Sequence, residues 1–232
     1  MKILSIDSSA LVASVALCED DKVLAEYTIN NGNTHSETLL PMVESVLGFF
    51  SLDAKDVDLF AVSAGPGSFT GVRIGAATLK GLAFGFDKPC VEVSTLEAIA
   101  YNLRTHKGLV CPVMNARRSQ VYTAVFRSDG ERLERLMPDA AIAIGELDLI
   151  LASYGEDVRL CGDGYDVAIE GFANTKPLYV EPRLRLQSAV SVASVALEKY
   201  MRGELCSDSE LRVTYLRQSQ AERERAERES AK

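Results

Sequence analysis

At 232 residues with 47% hydrophobic content, the chain has ample material to bury a core, either as one large domain or as two small ones. Its formal net charge of -8 and pI near 4.9 deny it the basic field that supplies most nucleic-acid affinity, so any RNA it serves is expected to be held mainly by another protein. The mixed run MKILSI before Asp7 falls short of a signal-peptide apolar region, and no later stretch approaches the roughly 18 apolar residues of a membrane span; a soluble cytoplasmic protein is expected.

In chain order, KILSID, VASVALCE and KVLAEYTI read as a strand meander with Asp20-Asp21 in its second turn. A helix is expected from Ser36 to Phe50, with Leu39, Val43, Val46 and Phe50 on one stripe and Thr34 or Ser36 as N-cap ahead of Glu37. Leu40, Met42, Leu47 and Phe49 widen its apolar arc to about 180°, against roughly 100° for a helix that only covers a core, so a further partner is expected to pack on it. DLFAVS reads as a buried central strand, followed by the Gly65–Gly71 turn and a helix from about Thr70 to Phe86. That helix is unusually rich in small residues: Gly71, Gly75, Ala76, Ala77, Gly81, Ala83 and Gly85. Each interior glycine costs up to about 1 kcal/mol, which points to close helix approach in the core or across an interface. Strand PCVEVS and helix TLEAIAYNLR close the first half near residue 105, and alternating strands and helices imply an α/β fold with parallel pairing. The second half opens again with strands GLVCPVMNA, SQVYTAVFRS and ERLERLMP, then a helix near Ile144–Tyr154, strand DVRLCG and a helix over Ser188–Arg202. The tail AERERAERESAK is charged on nearly every face and reads as a solvated end.

Four constellations carry potential chemistry. The GPGSFTG turn ahead of a helix fits a phosphate cradle or a purely structural turn, but it lacks the Gly-Lys-Ser/Thr ending of a P-loop. Asp7-Ser8-Ser9 stands where acetate-kinase and actin-like ATPases keep an acidic residue and phosphate-contacting hydroxyls, although Asp and Ser are ordinary turn formers. His35 with Glu37 forms either an acid/base pair or a helix start. Asn115-Ala116-Arg117-Arg118 offers two cations for an anion, or simply a polar turn. Cys18, Cys90, Cys111, Cys161 and Cys206 are odd in number and without CxxC spacing, so they read as buried free thiols; Cys18 and Cys111 have no histidine nearby in sequence to activate them. With only His35 and His106 as imidazoles, no metal site is expected.

Taken together, IDSSALVASVAL, HSETLLPMVESVL, VSAGPGSFTGVRIGAATLKGLAF, STLEAIAYN, NARRSQVYTAVF and YLRQSQAERE resemble the TsaB (YeaZ) family of bacterial tRNA threonylcarbamoyladenosine biosynthesis proteins, within the Gcp-like/ASKHA superfamily. The resemblance runs in order from Ile6 to Glu224. It implies an ASKHA (actin/Hsp70-like) α/β fold of two related subdomains, taken here as 1–105 and 106–232, each with a mixed sheet flanked by helices. The paralogous catalytic subunit TsaD carries an HLEGH-type metal segment; here Thr95 and Ile99 stand at the two histidine positions, and neither can serve as a metal ligand. Gly162-Asp163-Gly164 is the only cluster comparable to that subunit's nucleotide loops. The family therefore implies a non-catalytic scaffold, without cofactor, that binds and activates TsaD. Together with TsaE it would support threonylcarbamoylation of the adenosine next to the anticodon in tRNAs decoding codons that begin with A. Contact is implied through the two N-terminal helices, with Leu39, Met42, Val43, Leu47, Arg73, Ile74, Ala77, Lys80 and Gly81 as interface residues, and a homodimer when TsaD is absent. The competing reading is an ATP-dependent phosphotransferase using Asp7, or a metalloprotease-like enzyme.

Overall fold

The structure, a computed structural model, describes residues 1–217, so the charged tail lies outside the described residues. The first half forms a five-stranded sheet from β1 (Lys2–Asp7), β2 (Ala13–Glu19), β3 (Lys22–Ile29), β4 (Leu59–Ser63) and β5 (Cys90–Val93), in the order β3-β2-β1-β4-β5. β1 pairs antiparallel with β2 and parallel with β4, and β4 pairs parallel with β5. All five residues of β4 are buried, as a central strand covered on both faces requires. Helices α1 (His35–Gly48) and α2 (Phe69–Ala83) cover one face, joining Leu39, Met42, Val43, Val46 and Leu79 to Leu4, Ile6, Phe60 and Val62.

The second half forms a four-stranded sheet from β6 (Gly108–Asn115), β7 (Gln120–Ser128), β8 (Leu133–Ala143) and β9 (Val158–Cys161), in the order β8-β7-β6-β9. Helix α4 (Ile144–Tyr154) covers one face with α5 (Tyr165–Gly171), a helix absent from the sequence reading. Helix α3 (Thr95–Tyr101) lies between the sheets: Ala98 joins the core of the first, while Leu96, Ile99 and Ala100 join that of the second.

The expected unit 106–232 does not keep its last helix. α6 (Ala189–Met201) returns to the first sheet, where Ala189, Val192, Ala193 and Ala196 pack on Ile3, Ala16, Leu59 and Val91. Small alanine faces let the helix lie close to the strands, and Ser5 Oγ donates to the Ala189 carbonyl at 2.7 Å. The chain then runs as an irregular strap to residue 217. Cys206 and Cys90 exchange backbone hydrogen bonds of 2.8 and 3.0 Å, closing the free edge of β5, and Thr214 N donates to the Ala64 carbonyl at 2.7 Å.

Helix ends fall earlier than the periodicity indicates. α1 stops at Gly48 rather than Phe50, and α2 at Ala83 rather than Phe86, where Phe84 leaves helical backbone at ψ 126° and Gly85 follows with φ 82°. In the second half the expected strand ERLERLMP extends to Ala143. All five cysteines are free thiols, with Cys206 partly exposed and the rest buried.

Asp148 on α4 anchors the segment after α5. Its carboxylate accepts from the backbone N–H groups of Ala173, Asn174 and Thr175 at 2.8, 2.9 and 2.8 Å, and from Asn174 Nδ2 at 2.8 Å. Burial alone pushes this carboxyl up, but the hydrogen bonds win and hold it well below its ordinary value of 3.8. A depressed carboxyl contributes stability that is full above the unfolded pKa and lost as pH falls toward the folded one. Asp148→Asn is therefore expected to lower stability at pH 7 by about 2 kcal/mol in urea unfolding and to flatten the loss of stability below about pH 4. An unchanged midpoint at pH 7 contradicts the anchoring role.

Candidate functional site

The GPGSFTG turn packs directly on the Ser8-Ser9 loop after β1. A Cβ added at Gly67 would overlap the Ser9 carbonyl oxygen, one at Gly71 the Ser8 carbonyl oxygen and one at Gly75 the Ser8 hydroxyl. Ser68 N donates to Ser9 O at 2.7 Å, Gly71 N to Ser68 Oγ at 3.3 Å and Val72 N to Ser68 O at 2.9 Å. The N-cap N–H of α2 is thus engaged by the Ser9 carbonyl, and these glycines serve the close approach of the two segments. Of the two readings left open by the sequence, the structural turn is the one the geometry supports.

Asp7 is sealed in the same contact. Oδ1 accepts from Ser9 N at 2.9 Å and Ser9 Oγ at 2.6 Å, and Oδ2 accepts from Ser63 Oγ at 2.5 Å. The side chain is wholly buried, and burial lifts its carboxyl above the ordinary value even though the Ser63 and Ser9 bonds pull it down. It presents no free oxygen to a ligand.

The other candidates resolve similarly. His35 Nε2 lies 2.7 Å from the Ala10 carbonyl, which fixes it as the donor, while Glu37 Oε2 accepts from Thr34 Oγ1 at 2.8 Å; the two form a helix start and not an acid/base pair. Gly162 and Gly164 abut β6: a Cβ at Gly162 would overlap the Val113 carbonyl oxygen, and one at Gly164 would stand 3.0 Å from Asn115 N. Between them Asp163 is open to solvent in a recess crowded by protein. Partial desolvation there, with the Asp7 charge adding, pushes its carboxyl up to about 6 against the pull of the Asn115 N–H. Arg117 and Arg118 are exposed on a β6–β7 turn whose residues 117–119 all take positive φ. Burial pushes the Cys18 thiol up to about 11 and the Cys111 thiol to about 12, so neither is a ready nucleophile. Among the described residues, no group of three or more His, Cys, Asp or Glu side chains gathers as a metal site needs.

Thr95 and Ile99 are both fully buried. Thr95 opens α3 with its backbone N donating to the Gly65 carbonyl at 2.9 Å, and Ile99 is a core residue between the sheets.

Of the nine expected interface residues, four belong to the interior. Leu39, Met42, Val43 and Leu47 are buried against the sheet, because α1 lies over β2 and β3 with α2 beside it and the two surfaces fill most of the wide arc. What remains open of that arc is Leu40 (48% exposed) and, past the helix end, Phe49 (84%) and Phe50 (41%). On α2, Arg73, Ala77 and Gly81 are exposed while Ile74 and Lys80 are half-buried. Arg73 is held by the strap: its guanidinium sits 3.8 Å from the Phe69 ring centroid, and Nε donates to Tyr215 Oη at 2.7 Å. Lys80 Nζ donates to the Ser209 carbonyl at 3.3 Å. Sequence reasoning missed Leu40, Phe84 and Tyr215 as part of this face. Leu40 is in the arc but carries no mark separating it from its buried neighbours, and the strap has no periodicity to read.

A family model described as TsaD, tRNA N6-adenosine threonylcarbamoyltransferase, matches residues 22–224. The tRNA threonylcarbamoyladenosine biosynthesis protein TsaB of Bacillus subtilis is 39% identical over 146 residues, covering 63% of this chain and 64% of that protein, so the chain spans somewhat less than two thirds of this relative's length. The TsaB of Buchnera aphidicola subsp. Schizaphis graminum is 30% identical over 171 residues, 70% of this chain and 79% of that protein. In three dimensions, YeaZ from Pseudomonas aeruginosa is 27% identical with a TM-score of 0.80, covering 93% of this chain and 99% of that one. The fold matches that structure over most of its length, and the match over most of the sequence leads to one conclusion: the chain belongs to the TsaB (YeaZ) branch of the TsaD family.

Proposed function

We propose that the chain acts in tRNA threonylcarbamoyladenosine biosynthesis as a non-catalytic subunit, binding and activating the catalytic subunit TsaD in a complex that includes TsaE, with tRNA held through the complex. The relatives named TsaB support the pathway. One observation carries the docking role: the outer face of α2 is built small where the monomer gains nothing from it. A Cβ at Gly81 would meet no atom within 4 Å, so this interior helical glycine has no packing reason within the chain. One turn earlier Ala77 is exposed as well, and together they form a shallow track on which a second helix can lie close.

The rim of that track is apolar. β3, β1, β4 and β5 run in one direction, so α1 and α2 both return against it and end at the same edge of the first sheet. Phe49 and, at 75% exposure, Phe84 stand out from these two ends, and Leu40 from the flank. Large exposed aromatics beside a small-residue track are the anchor-and-groove composition of a protein interface. The interface assigned to TsaD is therefore Arg73, Ile74, Ala77, Lys80 and Gly81 with Leu40, Phe49 and Phe84. In the absence of TsaD the same face would join two copies of the chain. A phosphotransferase reading finds less support, since Asp7 is sealed and the loop glycines are filled by protein.

Three substitutions test this. Ala77→Glu on the exposed face is expected to leave the monomer folded by circular dichroism and to abolish co-elution with TsaD; an intact complex overturns the assignment. Gly81→Ala is expected to raise the stability of the isolated chain by about 0.5–1 kcal/mol while weakening the complex, because a methyl group fills the track. Asp7→Asn is expected to leave reconstituted threonylcarbamoylation within about twofold of the unsubstituted chain, since the carboxylate is not presented to any reactant. Its raised carboxyl makes the charged form a burden that grows above pH 3.8, so the same variant should be no less stable at pH 7. Loss of activity in Asp7→Asn with a folded protein favours the phosphotransferase.

A further inference from the structure

A cavity of about 320 Å³ lies on the second half, remote from α1 and α2, between the turn after α3 and the segment 178–184 that runs beside the edge strand β9. Its size is at the lower end of the range for small-molecule sites. One side is aliphatic, from Leu103, Val180 and Leu184, of which Leu103 and Val180 belong to the buried core. The other side is polar and cationic. Alternation along β9 sends Val158 and Leu160 into the core under α4, and Arg159 to the opposite face, into the cavity.

Both guanidiniums in this wall are held before any ligand arrives. Arg159 Nη1 donates to the Lys107 carbonyl at 2.9 Å, and Arg183 Nε donates to Glu181 Oε2 at 2.7 Å. Among the described residues, neither group's remaining N–H donors has a hydrogen-bond partner. Two cations against the single carboxylate of Glu181 give the cavity a positive balance in a chain whose net charge is -8. His106 adds a further polar group to the wall, and its buried Nδ1 has no partner in the folded chain. At the mouth, the Tyr179 ring is 72% exposed and is steadied by Arg185, whose guanidinium carbon lies 5.5 Å from its centroid.

We infer that this cavity binds a small phosphate monoester carried on a flat apolar body. The phosphate would bridge the forked donors of Arg159 and Arg183, and the flat body would lie between the aliphatic side and the Tyr179 ring. Protection of an exposed edge strand by an inward charge would explain Arg159 alone. It does not explain a second arginine lining the same space, nor the half-buried Leu184 beside it.

Titration of the full ¹⁵N-labelled chain with phenyl phosphate tests the site. Saturable shifts confined to residues 103–107, 158–161 and 178–185, with half-saturation at or below about 1 mM, are expected. Arg159→Gln and Arg183→Gln should each weaken binding about tenfold. Arg183 is 78% exposed, so its substitution leaves the fold intact and keeps the test decisive. Inorganic phosphate should bind about tenfold more weakly than phenyl phosphate because it leaves the aliphatic wall uncovered. The inference is overturned by the absence of saturation up to about 10 mM, by undiminished binding in Arg183→Gln, or by equal affinity for inorganic phosphate.

Discussion

The close approach of the Gly65–Gly71 turn to the Ser8-Ser9 loop is the constraint on which the rest of the molecule depends. Three side-chain-free positions let two backbone segments meet where any Cβ would overlap an oxygen atom. That contact fixes where α2 starts and closes Asp7 behind three hydrogen-bond donors. It also engages the Ser68 N–H at the head of α2. The strap closes the same turn from the other side, where Thr214 lies against Gly65.

A second consequence runs through α3. This helix opens against the same turn, by the bond from Thr95 N to the Gly65 carbonyl, and is buried between the two sheets. On this helix Thr95 and Ile99 are both enclosed in the core. The return of α6 to the first sheet adds to the bond between halves: Asn102 Nδ2 donates to the carbonyls of Leu184 and Leu186 at 3.2 and 2.8 Å, and Ser191 Oγ donates to Asn102 Oδ1 at 2.6 Å.

The outside of α1 and α2 is the part of these helices that the first sheet does not cover. Its chemistry differs from the inside of the same helices in a simple way. Gly71 and Gly75 are small because Ser8 presses on them, whereas Ala77 and Gly81 are small with only solvent beyond.

The sequence by itself determined the strand meanders, the alternation that makes parallel pairing, the buried central strand DLFAVS and the family to which the chain belongs. These are local or periodic properties, written in side-chain polarity at spacings of 2 and 3.6 residues. It also showed that α2 is unusually small-sided and α1 unusually apolar. Which of those residues face a partner was not legible, because periodicity ranks polarity around a helix but does not say how many surfaces press on it. Leu39, Met42, Val43 and Leu47 read as interface until the sheet and α2 were seen to enclose them; Leu40, from the same arc, is the one left outside. Only the tertiary structure decided that the glycine-rich turn is filled by Ser8 and Ser9, that α6 belongs to the first sheet, and that an aperiodic strap holds Arg73 and Lys80. Each rests on contacts between residues far apart in the chain, fixed by packing and by oxygen and nitrogen atoms finding partners, which no local spacing records.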